Sequence, residues 1–289
     1  MASQPYDDLI VVGDTQCGSI FGLWPERYEL SDGGSYGLNP GQKYLWDCWN
    51  HAADRVEAAT KKELINPTGV VFMGDAIDGR QRAQEATEAV TTRISDQAGA
   101  FLKCMKVLQS AMPPVPLYMI QGTEYHDQKA GDAIEGAAAA LGAVEYGGVG
   151  SGRHSHEVLD LDVSGSVINF AHHISALTGF YRATAIDKEA LWSTIAAKDG
   201  KMPRADMIVR AHVHYFIHVE HESKHALVVP SWQLQTRYMR KHSVYRMLPT
   251  LGLAIIRVWK EATFWDDKLQ VMKMVYGLPP YKPHIHKHA

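Results

Sequence analysis

The stretch Gly69-Val70-Val71-Phe72-Met73-Gly74-Asp75-Ala76-Ile77-Asp78-Gly79 decides how the rest of the chain is read. Val70 to Met73 is an unbroken apolar run, too short for a helix and rich in strand-forming residues. It predicts a strand buried on both faces. Two glycines and two carboxylates follow at once. A carboxylate at the tip of a buried strand is costly unless it meets a partner. The same pattern recurs along the chain. Leu9–Val12 runs into Gly13-Asp14-Thr15-Gln16, and Val115–Ile120 runs into Gly122-Thr123-Glu124-Tyr125-His126-Asp127. Val167–Ala171 ends in His172-His173, and Asp206–Arg210 ends in Ala211-His212-Val213-His214. Five polar strand tips in one chain point to a shared partner, and a pair of divalent metal ions is the economical one.

Working outward, Gln42–Leu64 reads as a helix with Trp46, Trp49, Ala53 and Val56 on one face. Gln81–Ser110 reads as a long helix stopped by Met112-Pro113-Pro114, and Ala130–Leu141 as an Ala-rich helix closed by Gly142. Alternating strands and helices predict a largely parallel first sheet, so the fold class is α/β. The pattern then changes. Val158–Val163 and Val167–Ala171 flank Ser164-Gly165-Ser166 as a hairpin, and Tyr181–Ala197 reads as a helix. Asp206–Arg210, Tyr215–Glu220, Ala226–Val229, Leu253–Trp259 and Leu269–Val275 read as strands, mostly antiparallel. The long Gly18–Gly41 loop carries Trp24, Tyr28 and Tyr36, and loops of that length in compact domains are commonly functional. The expectation is one domain over residues 1–289, with a flexible tail at 278–289 that holds His284, His286 and His288.

Composition narrows the function. Of 289 residues, 46% are hydrophobic and 21% charged, with a net charge of -3, as in an ordinary soluble chain without a basic surplus for nucleic acid. Cys17, Cys48 and Cys104 form no CxxC spacing, which suits a reducing, cytoplasmic setting. The start MASQPYDDLIVVGD lacks the features of a secretory leader, and no apolar run is long enough to span a membrane.

Hydrolysis of a phosphate ester needs a nucleophile, neutralised phosphate charge and a stabilised leaving oxygen. Two metals roughly 3.5–4 Å apart supply all three. Asp14 and Asp75 each follow a strand and a glycine, so both emerge on one sheet edge. His212 and His214, two residues apart, can reach one metal pair, and a histidine outside the ligand set can protonate the leaving group.

The order Asp14-x-Gln16, Gly74-Asp75-x-x-Asp78-Gly79, the Gly122 segment, His172 and His212-x-His214 resembles the calcineurin-like metallophosphoesterase superfamily, over about two thirds of the chain. The resemblance implies a four-layer α/β/β/α sandwich with a dinuclear centre. It implies Asp14, Gln16, Asp75 and His214 on one metal, with Asp75 bridging. His172 and His212 would hold the second metal with a group from the Gly122 segment, either Thr123 or Glu124. Asp78 would orient its neighbours. Gln16 replaces the usual histidine, and its harder, weaker carbonyl favours Mn or Mg over Zn. Two divalent ions are expected, Mn first, with Fe, Zn, Ni or Mg as alternatives. His126, displaced from the usual Gly-Asn-His, is the expected general acid. The Gly13–Leu23 segment and the Gly122-Thr123-x-x-His126 form are similar to a subgroup often met in bacteriophage genomes.

The expected activity is hydrolysis of a phosphodiester or nucleotide-like substrate, with a DNA nuclease or a catalytically inactive binding scaffold as the alternatives. The expected partner is a phosphate ester, nucleotide or nucleic acid, with no membrane; a homo-oligomer stays open. Trp232 and Arg237 could stack on a base and pair with a phosphate, or simply cover the sheet. Of His172 and His173, His172 at the strand end is the expected ligand. Cys17 is expected as a buried small side chain beside the site, and His154 and His156 as solvated. His218, His221 and His225 share one hairpin and leave a second metal site open.

Overall fold

The first strand, β1 (Tyr6–Val12), sets the layering, because Ile10 and Val12 enter one core while Leu9 and Val11 enter another. The computed structural model describes residues 4–81, 85–127, 131–174, 181–243, 245, 247–261 and 268–279. β1 lies inside a six-stranded sheet. Its order is β11 (Leu269–Tyr276), β10 (Leu251–Trp259), β1, β2 (Pro67–Phe72), β3 (Leu117–Ile120), β4 (Ser155–His156). The four strands β1 to β4 are parallel, and β10 and β11 add antiparallel pairs on the far side of β1. The second sheet has the order β5 (Val158–Val163), β6 (Ser166–Ala171), β7 (Met207–Arg210), β9 (Lys224–Val228), β8 (Ile217–His221).

Helices α1 (Pro40–Lys61), α2 (Ile94–Ser110) and α3 (Asp132–Ala140) pack on the outer face of the first sheet through Trp49, Phe72, Phe101 and Met105. Helix α4 (Ala183–Lys198) covers the second sheet through Ile186, Ile208 and Val228. The inner faces meet across Val11, Val71, Phe170, Val209, Leu227 and Ile256. Each such side chain contributes about 1.5–3 kcal/mol when fully buried, so the inter-sheet layer holds the two sheets in register. The result is the α/β/β/α sandwich that the resemblance implied. A short helix, α5 (Arg237–His242), is capped by the Thr236 hydroxyl. Among the described residues no helix is long and apolar enough to cross a membrane.

Several local expectations are corrected. The predicted helix from Gln81 begins only at Ile94. Before it, Ile20 N donates to Glu88 O at 2.8 Å and Val90 N to Gly18 O at 2.7 Å, so this stretch pairs with the Gly18 loop instead. Val90, Thr91 and Thr92 are β-branched and weaken any helix there. Strand β7 is parallel to both neighbours, since α4 returns the chain before it. His156 is buried in β4, its ring 5.4 Å from that of Tyr146, and His154 is half-buried with Nδ1 bonded to Ala143 O. The expected tail starts as packed chain, with Leu278 against the first core; residues 280–289, with their three histidines, lie outside the described residues.

Trp232 is also placed differently from the substrate role expected of it. Its side chain is fully buried in the first core, edge-on to Trp49 at 4.8 Å. It therefore offers no face for stacking on a base. Trp232→Ala should lower the unfolding free energy by about 3–5 kcal/mol, read from denaturant midpoints. A stacking role would predict near-native stability and a raised KM instead.

Candidate metal centre

The carboxyl ends of β1, β2 and β3 leave the first sheet along one edge, and those of β6 and β7 leave the second sheet beside them. Ladder-like backbone bonds continue past the strands. Asp14 N donates to Gly74 O at 2.9 Å, Gln16 N to Asp75 O at 3.1 Å, and Ala211 N to His172 O at 3.0 Å. Glycine permits the close approach. A Cβ on Gly74, whose φ is +91°, would stand 2.7 Å from Gly122 Cα and 2.8 Å from His172 Nδ1. One on Gly122 would stand 2.2 Å from Asp75 N.

Asp14, Gln16, Asp75, His212 and His214 all have φ between 47° and 72°, in the left-handed region. They are five of the ten non-glycine residues with positive φ among the described residues. Such conformations cost of order 1–3 kcal/mol each and are commonly found clustered at active sites and ligand clamps.

Asp75 is the hub. Its Oδ1 accepts from Thr123 N at 2.7 Å and Thr123 Oγ1 at 3.0 Å. Its Oδ2 accepts from Gln16 Nε2 at 3.1 Å and lies 3.2 Å from His172 Nε2 and 4.0 Å from His126 Nε2. Burial opposes the charge on Asp75, but His172 and His126 outweigh it and hold the carboxyl well below the usual range. Burial likewise opposes a charged His172, yet Asp75 and Asp14 raise it to about 10. A dication at the same spot would take the place of that proton. His212 opens to solvent on one side, with its ring 5.3 Å from that of His172. Desolvation of the packed ring, then the charge on His172, push it down to about 4, so it stays neutral and ready to ligate.

The donor set fits divalent ions. Four buried side-chain atoms here make no hydrogen bond of good geometry: Asp14 Oδ1, Gln16 Oε1, His172 Nε2 and His214 Nδ1, although His172 Nε2 keeps an ionic contact with Asp75 and Asp14 Oδ1 one with His214. They are half of the eight such atoms among the described residues, and buried polar atoms are rarely left unpaired. Ligand atoms of Asp75, His172 and His212 all lie within 4.8 Å of one another. His214 Nε2 stands 3.3 Å from Asp14 Oδ1.

The other expected residues divide. Asp78 is buried, and burial lifts its carboxyl to about 6 despite the nearby His126 and a bond from Gln81. His126 Nδ1 donates to Asp78 O at 2.8 Å, which leaves Nε2 facing Asp75. The Thr123 hydroxyl is spent on Asp75, while Glu124 and His173 are exposed. Cys17 is fully buried beneath the site. Arg237 is largely exposed, with Nε 3.4 Å from Glu88 Oε1.

A cavity of about 410 Å³ opens onto the centre. Gln16, Asp75, His126, His212 and His214 form its polar end, and Tyr125, Tyr238, Met239 and Met247 stand on its walls. Gln81, Glu88 and Gln233 also line it and were not singled out from the sequence as site residues. Asp127 was missed as well. Its carboxylate accepts from Ala76 N at 2.9 Å, Ile77 N at 3.3 Å and Gly122 N at 3.1 Å, joining the turn after β2 to that after β3. Burial and the charge of Asp75 push it up to about 7, against those N–H donors. Its place directly after His126 was the available signal.

No protein-family model matches the chain, and no curated protein matches it. Among solved structures, Vacuolar Protein Sorting 29 from Cryptosporidium parvum is 11% identical, with a TM-score of 0.41 over 94% of this chain and 99% of that one. A zinc-complexed Vps29 from Entamoeba histolytica is 10% identical, with a TM-score of 0.39 over 93% and 98%. An archaeal phosphodiesterase is 9% identical, with a TM-score of 0.39 over 93% and 99%. Likenesses this loose carry no functional weight for this chain.

Gly122→Ala should drive a methyl group into Asp75 and cost about 1–3 kcal/mol of stability through overpacking. It should also weaken divalent-ion binding by displacing the hub carboxylate. Calorimetric titration of the folded variant with Mn checks this, and unchanged affinity would show that Asp75 is not held from the Gly122 side.

Proposed function

We propose that this protein is a metal-dependent phosphoesterase of the calcineurin-like kind, hydrolysing a phosphodiester or nucleotide-like substrate. One observation carries the reading: Asp14, Gln16, His172 and His214, each with a buried ligand atom that makes no hydrogen bond of good geometry, gather around Asp75 at the ends of strands from both sheets. Asp14, Gln16, Asp75 and His214 would hold one divalent ion, and Asp75, His172 and His212 the other. Such a pair, when bound, neutralises phosphoryl charge and activates water.

The remaining work falls to the chain itself. Thr123 fixes Asp75 Oδ1, so that Oδ2 keeps its orientation towards Gln16 and His172. In this reading Thr123 positions the bridging carboxylate and is not a ligand. Gln16 uses its amide N–H on Asp75, so its free oxygen is the ligating atom. A neutral, hard oxygen favours Mn or Mg, and Mn is the expected ion. The bond from His126 Nδ1 to Asp78 O fixes which nitrogen faces the cavity. With Nδ1–H held by Asp78 O, Nε2 delivers the proton to the leaving oxygen from the doubly protonated imidazolium and is left as the neutral Nδ1–H ring. The tyrosines and methionines of the cavity suit a flat organic group esterified to the phosphate.

The test is hydrolysis of bis-p-nitrophenyl phosphate by the full chain with added Mn. Asp75→Asn should lose both bound metal and most of the turnover. Near-native turnover and metal content in that variant would overturn the proposal, leaving the scaffold or a different chemistry.

His126→Ala gives a second, sharper prediction. General acids contribute about 10²–10⁴-fold, and most where the leaving group is poor. Alkyl phosphodiesters should therefore slow far more than nitrophenyl esters, with both ions retained. A uniform loss across leaving groups together with loss of one ion would make His126 a ligand.

A further inference from the structure

We propose that His218, Glu220 and His225 form a separate, mononuclear zinc site on the β8–β9 hairpin, independent of the phosphoesterase reading. Glu220 pairs directly across the ladder with His225, and His218 pairs with Leu227. The strand alternation therefore puts all three side chains on one face. His218 Nε2 lies 3.1 Å from His225 Nδ1, the two rings nearly parallel at 15°. The three ligand atoms lie within 4.8 Å of one another. Two nitrogens bound at 2.0–2.1 Å to a tetrahedral ion stand about 3.3 Å apart, close to the spacing already present. Two imidazoles and a carboxylate form a donor set that zinc takes with its fourth position open.

His221, grouped with these histidines on sequence, points to the other face and bonds Asp187 at 2.7 Å. Glu220 replaces it as the third donor. His225 is buried and pairs with Met207 at the start of β7, whereas His212 follows the end of that strand. The two metal sites thus sit at opposite ends of β7. β8 is an edge strand, where unpaired backbone groups invite pairing with other chains. An ion shared with β9 would pin that edge and stabilise the folded state by mass action.

The experiment counts zinc bound to the full chain by equilibrium dialysis and follows the zinc-dependent rise in Tm. It is run in the native sequence and in an Asp75→Asn background, so that failure here is distinguishable from failure of the phosphoesterase reading. In both backgrounds one zinc should disappear with His218→Gln or with Glu220→Gln, and the rise in Tm with it. The loss in affinity should be at least the roughly 10–100-fold that even an outer partner of a ligand is worth. Glu220 is exposed, so its variant should fold whatever becomes of the other. Unchanged zinc count and Tm response in both variants would overturn the site and leave a plain His–His hydrogen bond. Loss of the zinc only on replacing His284, His286 and His288 by Ala would overturn it equally.

Discussion

A carboxylate buried at the junction of two sheets organises this molecule. Asp75 is 1% exposed, and stripping such a charge of solvent costs several kcal/mol unless neighbours replace the water. Thr123, Gln16, His172 and His126 do so, Thr123 and His126 from the loop after β3, Gln16 from the loop after β1 and His172 from the end of β6. The strand ends must converge because their polar groups complete one another's solvation. The apolar layer between the sheets then fixes the distances, since residues such as Val71 and Phe170 lie close upstream of Asp75 and His172 on the same strands.

The convergence is bought with backbone strain. Five site residues in the left-handed region cost roughly 1 kcal/mol or more each, comparable in sum to the 5–15 kcal/mol net stability of a typical domain. Asp and His tolerate that region better than most residues, which eases the load at four of the five positions. Asp127 spreads the remainder. By accepting from Ala76, Ile77 and Gly122 it ties the strained turn after β2 to the turn after β3, so the first does not relax alone. Side chains held in this way keep Gln16 Oε1 and His214 Nδ1 buried without a hydrogen bond, while His172 and Asp75, and His214 and Asp14, face one another at 3.2 and 3.3 Å.

Around this rigid floor the walls are built from loops. Gln97 holds Gly79 by two bonds of 2.9 Å, fixing the turn that ends the second motif. Gln81 reaches Asp78 and its oxygen accepts from Glu88 N at 3.1 Å. Glu88 in turn meets Arg237 at the start of α5. The loop from Gly18 is stiffened by Trp24, with Tyr28 at 5.4 Å and Tyr36 at 6.3 Å. Segments far apart in sequence thus close one cavity over a floor made by strand ends.

By itself the sequence determined the strand tips. An apolar run ending in Gly-Asp or in His is local information, and β1, β2, β6 and β7 deliver Asp14, Asp75, His172 and His212 where those runs end. The layered α/β architecture follows from the same runs, because strands apolar on both faces need cover on both. Only the tertiary structure decided what lies across space. Trp232 reads either as a base-stacking aromatic or as cover for the sheet, and its burial in the core rests on Trp49 and Tyr276, which nothing local reveals. Gln81 and Glu88 read as helix, yet they line the cavity, because Glu88 O accepts from Ile20 N of the Gly18 loop and Gln81 O from Ala86 N, outside any α-helical pattern. The choice of His172 over His173 as the buried ring, and the use of Thr123 on Asp75, rest on which atoms meet after folding. Sequence order carries periodicity and turn chemistry; it does not carry the distances that make a lone pair an orphan.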